Sequence, residues 1–259
     1  MQQDRRQFVT AAAATAVAAV GAAPVLAQTP SAATPLGVKA LVFDAYGTLL
    51  DVFSVTGLCE QLFPGKGQQV AQSWREKQLL YSYLRTMMGR HRDFWGLTED
   101  GLVWAAKKHK LDLTGDKKKQ LLDAYLNLAV FPDIKPGLEA LKKQGVTLAI
   151  LSNGEPKMLA TNVKNAGLGA MLDESISIED VKVNKPDPRV YNLAAERLGV
   201  RRSELGLVSS NNWDIVGAAS AGLRTFWIHR DPDDVPEEMG LQAEFVIKAM
   251  TDIPGLLRG

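Results

Sequence analysis

The sequence predicts an α/β fold: a parallel sheet with a block of helices inserted after its first strand. Three observations predict it. A near-continuous apolar run at 38–43 ends in Asp44 and a Gly47-Thr48 turn, the pattern of a strand buried on both faces. Residues 51–131 then lose strand-type runs and read as helical. From 132 onward, short apolar runs, polar clusters and helical stretches alternate, the rhythm of right-handed crossovers between parallel strands.

Residues 1–35 lie outside the expected fold. Arg5 and Arg6 precede Phe8 and an Ala/Val run of about 14 residues, short of the ~20 that a spanning helix needs. Val25, Leu26 and Ala27 then offer small residues before a cleavage point. The DRRQFV stretch resembles a twin-arginine export signal, which implies a periplasmic mature protein. Residues 1–27 are therefore expected to be a signal peptide, and 28–36, rich in Thr, Pro, Ser and Ala, a flexible lead-in.

The first strand gives way to an amphipathic helix at 70–88, where Leu80, Leu84 and Met87 recur at helical spacing and Arg75 and Leu79 share another edge. Further helices are expected at 99–109 and 116–130. After Pro132 come a helix at 137–144, a strand at 147–151, a helix at 156–166 closed by Gly167 and a strand at 175–178. A helix at 188–198 closed by Gly199, a strand at 205–208 and a helix at 213–221 stopped by Gly222 follow, with strands at 225–228 and 244–247. The division is thus a Rossmann-like core at 37–50 and 132–259, and a helical cap at 51–131 that closes over Asp44 and keeps water scarce.

The 259 residues hold 46% hydrophobic side chains, enough for a full core. The chain carries 30 basic and 29 acidic residues; without Asp4, Arg5 and Arg6 the balance is 28 against 28. A neutral mature protein argues against nucleic acid or an anionic membrane as a partner. The single cysteine, Cys59, excludes an internal disulfide and reads as a small buried hydrophobe.

Four polar clusters fall at the ends of expected strands or just after them: Asp44 with Thr48, Ser152 with Asn153, Lys185, and residues Ser209 to Asp214. In an open α/β sheet these ends share one rim, where ligands bind. An aspartate delivered there by a rigid strand is nearly all carboxylate at neutral pH and needs no base to act as a nucleophile. A serine hydrolase is excluded, since there is no G-x-S-x-G and His91, His109 and His229 pair with no nucleophile.

The pattern D-x-Y-G-T-L at 44–49 resembles the first motif of the haloacid dehalogenase superfamily, whose nucleophile is that aspartate. Its phosphatases carry a second acid two residues later, where this chain has Tyr46; the change favours a leaving group that needs no proton, such as a halide. The order and spacing of Asp44, Arg75, Ser152, Asn153, Lys185, Tyr191, Ser209, Asn211 and Asp214 resemble the L-2-haloacid dehalogenases, as do RTMMGRHRDFW, LSNGEP, NKPDPRVY and VSSNNWD.

That resemblance implies attack by Asp44 on the halogen-bearing carbon of a short 2-haloacid, then hydrolysis of the ester by water, with inversion. No cofactor and no metal are implied; the partners are substrate, water and the halide product. Arg75 and Asn153 meet the halide, Ser152 and nearby backbone N–H groups the substrate carboxylate. Ala45, Tyr46, Leu79, Phe94 and Trp213 line the substrate. Asp214, Asn211 and Ser209 serve the water, with Lys185, Tyr191 and Thr48 completing the set. Family members are often dimers, which makes helix 70–88 the expected pairing surface. The rival readings are a magnesium-dependent phosphatase of the same superfamily and a binding protein that captures carboxylates without turnover.

Overall fold

The computed structural model describes residues 36–258, so the expected signal peptide at 1–27 and the lead-in up to residue 35 lie outside the described residues. Six strands form one parallel sheet: β1 (Ala40–Phe43), β4 (Thr147–Ser152), β5 (Glu174–Ser177), β6 (Leu205–Ser209), β7 (Arg224–Ile228) and β8 (Phe245–Ile247). Their spatial order is β5-β4-β1-β6-β7-β8. From β1 the chain builds outward through β4 and β5, then crosses to the other side of β1 for β6. The switch point, where such sheets open a crevice, therefore lies at the carboxyl end of β1, beside Asp44.

Strand residues are buried alternately in two layers. Leu41, Phe43, Leu148 and Ile150 enter the core that also holds α5 (Ile134–Lys142) and the inserted helices, while Ala40, Val42, Ala149 and Leu151 face α7 (Pro188–Leu198) and α8 (Asn212–Ser220). This double burial is why the strand sequences are apolar throughout rather than alternating.

The insertion contains α1 (Thr56–Leu62), α2 (Gly67–Met87), α3 (Phe94–Lys108) and α4 (Gly115–Tyr125). It leaves the core at β2 (Leu50–Asp51) and returns at β3 (Ala129–Val130), two short strands paired antiparallel. This corrects the helix expected at 116–130, which stops at Tyr125 so that Ala129 and Val130 can pair with Asp51 and Leu50. The helix expected at 99–109 begins earlier, at Phe94, because the Asp93 side chain accepts from Gly96 N at 2.7 Å and caps it.

The apolar recurrence on α2 faces outward. Leu80, Leu84 and Met87 are exposed, whereas Val70, Ala71, Trp74, Gln78 and Ser82 are buried. Two of those buried residues are polar, and one of them organises the site. After β5 the chain runs through α7 and α8; α6 (Pro156–Ala166) follows β4, and α9 (Ile253–Arg258) closes the described chain.

Candidate active site

Asp44 is the first residue after β1, 5% exposed at the bottom of the crevice. The chain then turns through Gly47, whose φ of 101° admits a side chain only with strain, and a Cβ there would touch Asn211 Nδ2 and Arg75 Nη2. Gly47 N donates to Leu50 O at 2.7 Å, closing the turn. This brings Thr48 back over the carboxylate: its Oγ1 donates to Asp44 Oδ2 at 3.1 Å and accepts from Ser210 N at 2.9 Å. Asn211 Nδ2 donates to the same Oδ2 at 2.7 Å, and Lys185 Nζ to Oδ1 at 3.3 Å.

Lys185 is fully buried and stands between two carboxylates, with Asp214 Oδ2 at 2.8 Å. Its backbone N donates to Asn153 Oδ1 at 2.9 Å, so the turn after β4 sets the position of the lysine loop. Asp214, in the first turn of α8, is fully buried too, and its Oδ1 accepts from Tyr191 Oη at 2.8 Å. Burial pushes the Asp214 carboxyl above its ordinary value against the pull of Lys185. For Lys185, burial works against the charge, but Asp214 and Asp44 outweigh it and raise the ammonium above its ordinary value. Burial and the Asp214 charge likewise hold the Tyr191 phenol far above its ordinary value, so it stays a neutral donor.

Arg75 reaches in from α2. Its Nη2 donates to Tyr46 O at 2.8 Å and to Asn211 Oδ1 at 3.4 Å, and its Nη1 to Gln78 Oε1 at 3.0 Å. Gln78 is wholly buried: its Oε1 also accepts from Tyr125 Oη at 3.0 Å, and its Nε2 donates to Thr98 Oγ1 at 2.6 Å. The Tyr46 ring lies 5.5 Å from Phe94 and 6.0 Å from Tyr125, forming an aromatic wall beside the guanidinium. Such an arrangement sets a buried carboxylate against a fixed cation, and a carboxylate can act as a nucleophile without a base to activate its oxygen.

A family model for haloacid dehalogenase-like hydrolases matches residues 38–222, which include every residue of this cluster. The chain is 44% identical over 213 residues to an (S)-2-haloacid dehalogenase of Pseudomonas sp. (strain YL), covering 82% of this chain and 91% of that protein. This chain belongs to the haloacid dehalogenase-like hydrolase family. A second relative, (S)-2-haloacid dehalogenase 2 of Pseudomonas sp. (strain CBS-3), is 41% identical, covering 85% of this chain and 96% of its own length. Among solved structures, the L-2-haloacid dehalogenase of Xanthobacter autotrophicus with chloropropionic acid covalently bound superposes with a TM-score of 0.82 at 36% identity. That match covers 86% of this chain and 99% of that one.

In this member of the family, Asp44, Thr48, Arg75, Lys185, Tyr191, Asn211 and Asp214 join one hydrogen-bonded network. Asn153 is tied to it through Lys185 N. Ser152 is buried at the same sheet edge, its Oγ accepting from Gly154 N at 3.0 Å. Ser209 is buried beside the network, its Oγ accepting from Asn211 N at 3.1 Å in the turn that carries Asn211. Ala45 is buried, and its carbonyl accepts from Leu49 N and Leu50 N in the Asp44 turn. Phe94 is buried against Tyr46, while Leu79 and Trp213 are half-buried.

Gln78 and Tyr125 are partners in the network that sequence reasoning missed, and Ser210, inside the expected Ser209 to Asp214 cluster, joins it through its backbone N. Gln78 carried a usable signal, since it lies one turn from Arg75 on the same helix, where the two side chains meet.

Proposed function

We propose that this chain hydrolyses short L-2-haloalkanoic acids to D-2-hydroxy acids, with Asp44 as the nucleophile. The observation that carries the reading is the strand-end carboxylate of Asp44, oriented by Thr48, Asn211 and Lys185, with the buried Tyr46 where a phosphatase has its second acid. An Asp44 oxygen attacks C2 from the side opposite the halogen. The new C–O bond forms as the carbon–halogen bond breaks, the halide leaves with the bonding pair, and C2 inverts.

Arg75 meets the departing charge, since Gln78, Tyr46 O and Asn211 already fix its guanidinium and little reorganisation is needed. Asn153, its Oδ1 taken by Lys185 N, offers its amide N–H groups beside it. Ser152 and the backbone N–H groups after β4 receive the substrate carboxylate. In the second half, water adds to the Asp44 ester carbonyl and Asp214 takes its proton. Its raised pKa makes it a stronger base than an ordinary carboxylate. The ester bond at the Asp44 carbonyl then breaks, releasing the hydroxy acid with an oxygen from Asp44, so haloacid and water become hydroxy acid, halide and a proton.

A magnesium-dependent phosphatase fits the donor set less well. Lys185 spans the two carboxylates, Ser210 Oγ donates to Gly47 O, and among the described residues no three His, Cys, Asp or Glu side chains gather as metal ligands. Chloride release from L-2-chloropropionate in excess EDTA supports the dehalogenase. Phosphate release from p-nitrophenyl phosphate that depends on added metal overturns it, and binding of the haloacid without turnover supports a carboxylate-binding protein instead. In heavy-oxygen water a single turnover is expected to label Asp44 before it labels product, and Asp44→Asn to lower kcat by about 10⁴-fold or more with the fold intact. Label in the hydroxy acid alone means direct attack by water.

The finer readings follow from the same residues. The leader with Arg5 and Arg6 supports export to the periplasm, tested by whether the R5K/R6K variant is retained in the cytoplasm. The exposed Leu80, Leu84, Met87 and Met88 on and just after α2 support pairing of two copies across this face, tested by light scattering of the L84E/M87E variant. The helices at 51–131 serve as the cap over Asp44.

A further inference from the structure

Arg230 lies just past β7, on the outer side of the turn that carries the nucleophile, and meets Asp133, which follows the return strand β3. Its Nη1 donates to Asp133 Oδ1 at 3.0 Å and its Nη2 to Oδ2 at 3.2 Å, a two-pronged pair that fixes the guanidinium in orientation as well as in place. Asp133 is itself held, for its Oδ2 also accepts from Met250 N at 2.7 Å. The guanidinium carbon stands 4.1 Å from the centroid of the Phe131 ring, which gives the group a face to lie on.

Held in this way, Arg230 aims the second N–H of Nη2 at Thr48 O, to which it donates at 3.1 Å. Phe131 N donates to the next carbonyl, Leu49 O, at 3.3 Å. The turn at 44–50 is thus pinned from outside by Arg230 and Phe131, while on its inner side Thr48 Oγ1 donates to Asp44 Oδ2 at 3.1 Å. Carbonyl and hydroxyl belong to one residue, so a rotation of the Thr48 backbone that frees the carbonyl also swings the hydroxyl away from the carboxylate. Among the described residues, Arg230 makes no hydrogen bond to Asp44, Asn211 or Lys185, which leaves Thr48 as its route to the nucleophile. A lysine in its place keeps a cation beside Asp133 but lacks the fork that reaches the carboxylate and Thr48 O together.

We propose that Arg230, braced by Asp133, is a positioning residue for the reaction: it anchors the Thr48 carbonyl so that the Thr48 hydroxyl stays on Asp44 and holds the carboxylate in its attacking orientation. Arg230 touches neither substrate nor the reacting oxygen. The inference rests on the dehalogenase reading and adds to it a residue that acts from outside the site.

The test measures chloride release from L-2-chloropropionate by the full chain, with rates taken per mole of protein folded by circular dichroism. Arg230→Lys is expected to lower kcat by about tenfold and to leave KM within about twofold, because the misaimed group serves the transition state and not substrate binding. Asp133→Asn, which loosens the brace and leaves the arginine in place, is expected to lower kcat by about two- to fivefold in the same pattern, and decides the matter should Arg230→Lys not fold. The decisive comparison repeats Arg230→Lys on Thr48→Val, at enzyme equal to substrate so that slow turnover is still read. With no hydroxyl left to aim, the change is expected to cost less than about twofold there. An equal loss in both backgrounds, a kcat unchanged in Arg230→Lys, or a loss that falls on KM alone overturns the positioning role. Failure of the wild-type chain to release chloride overturns the dehalogenase reading, and this role with it.

Discussion

Gln78 shows how much a single buried amide does in this molecule. It binds Arg75, Tyr125 and Thr98 at once, on a helix whose apolar recurrence points the other way. Gln78→Leu keeps the volume but releases one edge of the guanidinium, leaving it held by Tyr46 O and Asn211 alone, and leaves the Tyr125 hydroxyl unmatched. Stability is expected to fall by about 1–3 kcal/mol, read by chemical denaturation. Displacing a transition-state cation by about 1 Å is expected to lower kcat by about ten- to a hundredfold. Chloro acids should lose more than bromo acids, because the poorer leaving group leans harder on Arg75; equal losses for both halogens would place Gln78 in the scaffold alone. Asp44, Lys185 and Asp214 were legible in the sequence because each stands at a strand end or near a helix start that apolar runs and turn residues mark. Tyr125 was not, since a polar group inside the insertion carries no sign of which way it faces, and Gln78 could be found only through its place one turn from Arg75.

At the level of elements, α6 and α7 begin and end where the sequence says, because proline sits in the first turn of each and Gly167 and Gly199 adopt the left-handed conformation that ends them. The two-residue strands β2 and β3 and the short helices α1 and α9 left no such trace, being too brief to show a period. The central strands are also tied together before they start. Glu204, just ahead of β6, accepts from Arg201 Nη2 at 2.7 Å and pairs with Lys39, just ahead of β1, at 2.9 Å. Arg201 first and Lys39 next pull its carboxyl down to about 2. A carboxyl depressed in the folded chain stabilises it above the ordinary glutamate pKa, and that contribution fades as pH falls toward 2. The stability gap between wild type and Glu204→Gln is therefore expected to be constant from pH 7 to about 5 and to close between about pH 4.5 and 2. A gap independent of pH across that range would assign the effect of the substitution to packing.

On the scale of the whole molecule, one apolar core runs from the sheet into the inserted helices, joining Leu41 and Phe43 to Trp74, Phe94 and Cys59. Such continuity predicts one cooperative unfolding transition for the described region. Cys59 reports on it, since it is wholly buried and burial pushes its thiol up to about 11. A thiol reagent at pH 8 is expected to modify the chain no faster than the sheet unfolds by circular dichroism. Faster labelling would reveal the inserted helices opening on their own.

The paired strands β2 and β3 let the chain leave and re-enter the sheet side at one place, with the outgoing and returning backbones about 4.8 Å apart. Seen from the sheet, some eighty residues therefore count as one long hairpin loop, and closing a longer or shorter one costs only a slowly growing entropy. The scaffold that aims the carboxylate can thus stay constant while descendants trade one roof for another, and with it the molecules they admit.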